Sequence, residues 1–221
     1  MRILIVGAGA VGQVFARHLK MGGASVSLFV KEKYRATCDS GLWLYPLNDK
    51  RLRDSGIGFV ADSVITDLEA LRKERWDQVW LCMSATALRT GWLGEFLAAI
   101  GDAAVVLWTP GLEDKALVAE HVPESRIACG VITFLAYQAP LEGETRPKPG
   151  IAYWFGPLMN VPIDGDPARA AVDVLRRGAM NAKVTRNSGG FTAFATAMMM
   201  PMVGTLEVAA WSFAQFRQGD H

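Results

Sequence analysis

The chain has 221 residues, 51% of them apolar and 20% charged, with a formal net charge of +1. That length can bury a sizeable core and fits one ordinary domain, or one domain with an appendage. The near-neutral balance, with no run of five lysines or arginines, excludes the basic stripe of a nucleic-acid-binding surface.

The chain opens on RILIV (2–6), an apolar run of strand length, which leads through GAGAVG into the helix-periodic AVGQVFARHLKM (10–21). This is no signal peptide, because Arg17, His18 and Lys20 stand where a cleavage site would be. VSLFV (26–30) is a second strand, and LWLYPL (42–47) with IGFV (57–60) makes a small hairpin-like excursion after it. TDLEALRKER (66–75), LRTGWLGEFLAAIG (88–101) and LEDKALVAEHV (112–122) read as helices. They alternate with the strands DQVWLC (77–82), AVVLW (104–108) and RIACGVITF (126–134). Continuous apolar strands are expected where helices cover both faces of a parallel sheet. The alternation therefore predicts an α/β fold of Rossmann type, with a doubly wound, mostly parallel sheet.

From about residue 137 the pattern loosens. APLEGETRPKPG (139–150) is a loop, IAYWFG (151–156) a strand, and KVT (183–185) an edge strand. DPARAAVDVLRRGAM (166–180) is a helix with Asp166 as its N-cap and Pro167 at its first position. After Asn187-Ser188-Gly189-Gly190 comes a long, almost uncharged segment, FTAFATAMMMPMVGTLEVAAWSFAQF (191–216). Pro201, Gly204 and Glu207 interrupt it, so it reads as a helix packed against protein rather than a membrane span. Two domains are expected, 1–186 for dinucleotide binding and 187–221 as the first long helix of a helical domain. A second protomer of a homodimer, or further helices absent from this chain, would cover 191–216.

Cys38, Cys82 and Cys129 are too few and too far apart for a disulfide framework. They read as reduced thiols of a cytoplasmic protein. His18 and His121 have no ligand-spaced partners and read as exposed or capping residues, so no metal is expected.

Gly7, Gly9 and Gly12 satisfy GxGxxG between a predicted strand and a helix, the context that makes this pattern informative. The first glycine allows the tight turn, the second lets a pyrophosphate approach, and the third lets the helix pack on the strand. Past the second strand, Lys31, Lys33 and Arg35 favour the 2′-phosphate of NADP over NAD, although Glu32 offers an alternative partner for the ribose. The expected cofactor contacts are Gly7, Gly9, Ala10, Val11 and Gly12 of the loop, Lys31 and Arg35 after it, and Met83 past DQVWLC.

MRILIVGAGAVGQVFARHL, the SLFVK strand end, the GLWLYPL run and the long helix after a glycine-rich turn resemble the ketopantoate reductase (2-dehydropantoate 2-reductase) family. The resemblance covers the N-terminal domain to about residue 186 and the first helix of the C-terminal domain. It implies hydride transfer from NADPH to a small-molecule keto substrate in a cleft between the two domains. The glycines and Lys31 match the family's cofactor positions. The family's catalytic positions do not match. Ser84-Ala85 stands where a lysine is expected, and Pro110 where an asparagine precedes Gly111. Aligned on Pro201, Thr192, Thr196 and Met200 replace a lysine and two asparagines.

Reducing a ketone develops alkoxide character that needs a proton donor or cation close by. Ser84, Arg89 and Thr192 are the candidates near the nicotinamide end, with Thr109 and Thr133 as further cleft-lining hydroxyls. Trp108, at a strand end, is expected at the cleft rim in reach of a ligand, and Met198, Met199, Met200 and Met202 read as helix core. Three functions remain open at this point: an NADP-dependent reductase of altered substrate, an NADP-binding sensor or interaction subunit without reductase activity, and, third in order, a membrane-associated reductase anchored by the 191–216 helix.

Overall fold

Four of the five residues of β1 (Arg2–Val6) are buried, as befits a strand covered on both faces. The computed structural model describes residues 1–109, 111, 113–157 and 159–218, with the side chains of 195, 215, 216 and 218 outside that description. After β1 come α1 (Ala10–Met21), β2 (Ser25–Phe29), α2 (Arg35–Asp39), β3 (Leu42–Pro46), β4 (Ile57–Phe59), β5 (Ser63–Ile65) and α3 (Leu68–Arg72). The chain continues through β6 (Gln78–Leu81), α4 (Ala85–Leu88), α5 (Leu93–Ala99), β7 (Ala104–Leu107), α6 (Asp114–Ala119) and β8 (Ile127–Gly130). It closes with β9 (Phe134–Ala139), β10 (Gly150–Phe155), β11 (Val161–Asp164), α7 (Ala168–Arg177), β12 (Ala182–Val184), α8 (Ser188–Val208) and α9 (Phe213–Gln218).

Eight strands form one sheet in the order β12-β11-β8-β7-β6-β1-β2-β5. The six from β5 to β8 run parallel, β11 is antiparallel to β8, and β12 is parallel to β11 at the edge. This is the predicted doubly wound Rossmann-type sheet. The strand order reverses between β1 and β6, which opens a crevice at their carboxyl ends.

The expected hairpin grows into a second sheet, β4-β3-β10-β9. Its central pairing joins Leu44 to Ile151. Helix α1 lies between the two sheets, so Phe15 and Leu19 meet Leu44, Phe134 and Ile151 in one core with Trp80 and Trp108. On the opposite face of the large sheet, Leu71, Phe96, Leu97 and Val118 pack over β1, β6 and β7.

Several sequence expectations are corrected by this second sheet. RIACGVITF is two strands, because the chain leaves the large sheet after Gly130 and enters the small one at Phe134. Trp108 is no rim residue. It is 2% exposed, its ring centroid 4.0 Å from Phe15 and 5.0 Å from Trp80. A Cβ at Gly130 would lie 2.3 Å from that indole, so the glycine makes room for it. LRTGWLGEFLAAIG shares only Leu88 with α4 and is otherwise helical over α5 alone, and α7 starts later than expected. Pro167 occupies the cap position of α7 without any side-chain cap bond, so Asp166 is not the N-cap. The 191–216 run breaks after Val208, where Ala210 and Trp211 take positive φ angles of 49° and 59° before α9. Helix α8 is long and apolar enough to cross a membrane by length and composition. Its Met198 and Met200 are 62% and 59% exposed, so these methionines are a surface stripe and not the expected core.

His121 is on the surface, whereas His18 is buried between the sheets with Nδ1 2.7 Å from Gly178 O. A carbonyl only accepts, so Nδ1 carries the proton and Nε2 is a bare acceptor. Burial holds this imidazole down at about 4. The unfolded chain therefore takes up a proton between pH 6.5 and 4 that the folded chain refuses, and stability falls as the pH drops through that window. The loss at pH 5 relative to pH 7 is expected to be about 2 kcal/mol. Urea unfolding of the wild type and His18→Gln at both pH values measures it. An equal pH dependence in the variant would place the titration at another residue.

Candidate functional site

The turn from β1 into α1 is made by glycines with separate tasks. Gly7 adopts φ +95°, and a Cβ there would stand 2.8 Å from Cys82 O and 3.7 Å from Met83 Cα. At Gly12 a Cβ would lie 2.0 Å from Gly7 O, so α1 settles on β1 only because this position has no side chain. At Gly9 nothing lies within 4 Å of the Cβ position. Gly9 is the N-cap of α1, without a side-chain cap, and no acidic residue occupies the first turn. The first-turn amides of Ala10, Val11 and Gly12 have no intrahelical acceptor, and the helix dipole adds positive character there. An open face over unbonded amides fits a pyrophosphate.

Sequence reading missed Gln13, which is buried and donates from Nε2 to Ala8 O at 2.8 Å. It braces the loop from inside. A polar residue on the buried side of a helix, one turn past the glycines, is the signal that would have found it. Met83 is half-buried beside Gly7, as expected of a residue flanking the crevice.

Beyond β2, Lys31 is exposed; its carbonyl accepts from the Tyr34 N–H at 2.8 Å, and no ion pair or hydrogen bond engages its side chain among the described residues. Arg35 turns the other way. Its guanidinium donates to Thr66 Oγ1 at 2.6 Å and to Val64 O at 3.3 Å, and pairs with Glu32 at 3.2 Å. The Thr66 hydroxyl and Arg35 hold the Glu32 carboxyl below its ordinary range. Lys33 lies 4.9 Å from the Tyr34 ring. Of the three predicted cations, Lys31 is the one left unengaged next to the crevice.

A cavity of about 600 Å³ opens past the carboxyl ends of β7 and β8, bounded by α6 and the start of α8. Thr109, Gly111, Asp114, Asp164, Asn187 and Thr192 are among its lining residues. Thr109 Oγ1 is buried and has no hydrogen-bond partner among the described residues. Asp114 is 1% exposed, accepts from the Gly111 N–H at 3.1 Å, and stands 2.9 Å from Arg89 Nη1 in an ion pair without hydrogen-bond alignment. Arg89 also donates to Ala85 O at 2.8 Å. Asp114 thus links the segments after β6 and β7. Asp164 accepts from the Ser188 N–H at 2.6 Å, and Asn187 caps α8 by accepting from the Gly190 N–H at 2.6 Å.

The structure brings Thr109 and Thr192 to this cavity, and ties Arg89, which is not among its lining residues, to the lining residue Asp114. It does not bring Ser84, which is exposed and caps α4, or Thr133, which donates to Asn160 O at 2.9 Å. Pro110 lies outside the described residues. Asp114 and Asp164 were missed because a helical segment and a strand end gave no sign that they converge. Polar side chains lining such a cavity can orient a polar substrate. Among the described residues no group of three His, Cys, Asp or Glu side chains is placed to hold a metal ion. The three cysteines are free, and burial pushes their thiols up, that of Cys129 to about 12, so none is a ready nucleophile.

Comparison with known proteins now adds a family. A family model described as ketopantoate reductase PanE/ApbA matches residues 3–158. Among curated proteins nothing matches the chain. Among solved structures the chain is similar to 2-dehydropantoate 2-reductase from Methylococcus capsulatus, at 18% identity and a TM-score of 0.64, over 86% of this chain and 58% of that one. It is similar to the enzyme of the same name from Geobacter metallireducens GS-15, at 18% identity and 0.61, over 84% and 58%. A third likeness is to D-mandelate dehydrogenase in its ternary structure with NADH and anilino(oxo)acetate, at 21% identity and 0.60, over 85% and 57%. At these identities the likeness is one of fold, and the chain spans 57 to 58% of the length of these structures.

Proposed function

Because the chain belongs to the ketopantoate reductase PanE/ApbA family, we propose that it is an NADP(H)-dependent oxidoreductase that passes a hydride to a keto substrate. The observation that carries this reading is the glycine loop, whose one open Cβ position, at Gly9, faces unbonded helix amides. The nicotinamide, when bound, supplies the hydride. The amides of Ala10, Val11 and Gly12 hold the pyrophosphate, Gly7 and Met83 flank it, and Lys31, with Arg35 behind it, receives the 2′-phosphate. In the neighbouring cavity Thr192 donates a hydrogen bond to the substrate, and Arg89, paired with the buried lining residue Asp114, offsets the charge that develops on the substrate oxygen. Ser84 caps α4 outside this cavity and takes no part in this reading.

Since Ser84, Pro110, Thr192, Thr196 and Met200 replace the family's lysines and asparagines, ketopantoate itself is not the substrate in this reading. A larger or more apolar keto compound is. Residues 1–186 act as the dinucleotide domain, and 187–221 begin a helical domain of a cytoplasmic enzyme. The methionine stripe of α8 is covered by a second protomer or by further helices rather than by lipid. One observation favours a second reading, an NADP(H)-binding sensor or interaction subunit. Helix α8 presents Phe194 at 66% exposure beside its exposed methionines, a surface suited to a protein partner.

Side-by-side titration with NADPH and NADH tests the proposal. Lys31→Ala is expected to weaken NADPH binding roughly tenfold to a hundredfold, as for loss of a charged hydrogen bond, and to leave NADH binding nearly unchanged. Failure to bind either nucleotide would sink both readings. Selective NADPH binding without turnover of any keto acid or ketone in a substrate screen would favour the sensor.

A further inference from the structure

Helix α8 has a single charged residue, Glu207, and its apolar residues occupy every side. A helix of that kind belongs inside protein rather than on its surface. Its Ser188 and Leu206 are buried, but Phe194, Met198, Met200 and Val208 are exposed. The total surface agrees. It is 12132 Å², against about 9,900 Å² for a compact protein of the same 24.0 kDa, an excess of about 2,200 Å². An obligate homodimer buries about 1,000 to 2,500 Å² on each protomer, so one further copy accounts for that excess.

The exposed side of α8 is complementary to itself in shape. Phe194, Met198 and Met202, four residues apart, form a ridge. Ala193, Ala197 and Gly204 beside it are exposed and small, and leave a shallow groove. When two such helices pack antiparallel about a two-fold axis, the ridge of each enters the groove of the other. The charges match in the same orientation. Arg186, just before α8, is exposed, and no ion pair or hydrogen bond engages its side chain among the described residues. Glu207, in the last turn, is exposed and accepts from Trp211 Nε1 at 2.8 Å. The midpoint between positions 186 and 207 falls beside Ala197, in the middle of the groove. Antiparallel pairing centred there sets Arg186 of each copy against the partner's Glu207. Parallel pairing would set like charges together.

We propose that α8 packs against α8 of a second copy of this chain, antiparallel, with the two-fold axis beside Ala197 and an Arg186–Glu207 ion pair at each end. Arg186 also lines the cavity of about 600 Å³, so the interface reaches the rim of that cavity. The proposal rests on the reading that protein rather than lipid covers α8, and it stands whether or not the chain reduces a keto substrate.

Sedimentation equilibrium of the full chain in detergent-free buffer tests it, and a dimer of twice 24.0 kDa is expected. Arg186→Glu and Glu207→Lys, both at exposed positions, are each expected to weaken the dimer about tenfold to a hundredfold, since each reverses two symmetric pairs. Combining them is expected to restore most of the association, because the pairs re-form with their signs exchanged. Met198→Asp, on the ridge, is expected to give a monomer, since two carboxylates would be buried without partners. A monomeric wild type, an assembly larger than a dimer, single reversals without effect, or a double reversal that stays dissociated would each overturn the proposal. Partition into phosphatidylcholine vesicles separates the failures. A monomer that enters vesicles overturns protein cover altogether, whereas a monomer that ignores them overturns the second copy alone.

Discussion

Gly9→Ala is expected to leave the protein as stable as the wild type while weakening NADPH on the order of a hundredfold, the equivalent of about 3 kcal/mol of overpacking against the pyrophosphate. The backbone at Gly9 has φ −73°, which alanine adopts without strain, and its Cβ would project into open space. The methyl group would therefore meet nothing until the cofactor arrives. Gly12→Ala is expected to do the reverse. Its Cβ would lie 2.0 Å from Gly7 O, and no flexible side chain is there to yield. Helix α1 must lift from β1, at a cost of about 3 kcal/mol, lowering the melting temperature by roughly 6 to 12 °C. The two substitutions are chemically identical, so measuring melting temperature and NADPH affinity for both separates packing from ligand approach. Wild-type affinity in Gly9→Ala would mean that no pyrophosphate comes near this backbone.

Trp108→Ala is expected to lose about 3–5 kcal/mol of stability, or roughly 10 °C or more in melting temperature, and to retain NADPH binding while folded. The indole is buried against Phe15 and Trp80 and lies over Gly130, so its removal leaves a cavity between the two sheets that no nearby side chain is free to fill. Its Nε1 has no hydrogen-bond partner among the described residues, so the substitution orphans no polar group there and the loss is one of packing. Thermal unfolding and NADPH titration of one variant decide the matter. A stable protein that had lost NADPH would return Trp108 to the ligand site where its position at a strand end suggests it.

The contrast between these two predictions shows where information lay in the chain. The glycine loop was legible because each of its requirements is local. Strand, tight turn and helix follow one another within a dozen residues, and the spacing Gly7, Gly9, Gly12 states its own geometry. The exposed position of Lys31 was legible for a similar reason, since it stands just past the strand whose end faces the crevice. Trp108 was not legible, because a continuous apolar strand gives no sign of which face each residue takes.

The sequence by itself determined the alternation of strands and helices, the sheet type and the dinucleotide loop, since apolar period and glycine spacing are properties of short segments. Only the tertiary structure decided that His18 is buried, that Trp108 is core, and that Asp114, Thr109 and Thr192 line one cavity, with Arg89 paired to Asp114. The first two follow from the small sheet, whose central pairing brings Leu44 against Ile151 and closes over α1. The third follows from α8 starting beside β8 and β11, far along the chain from the segments after β6 and β7. Contacts between residues a hundred positions apart are selected by the packing of whole elements, and no local pattern records them.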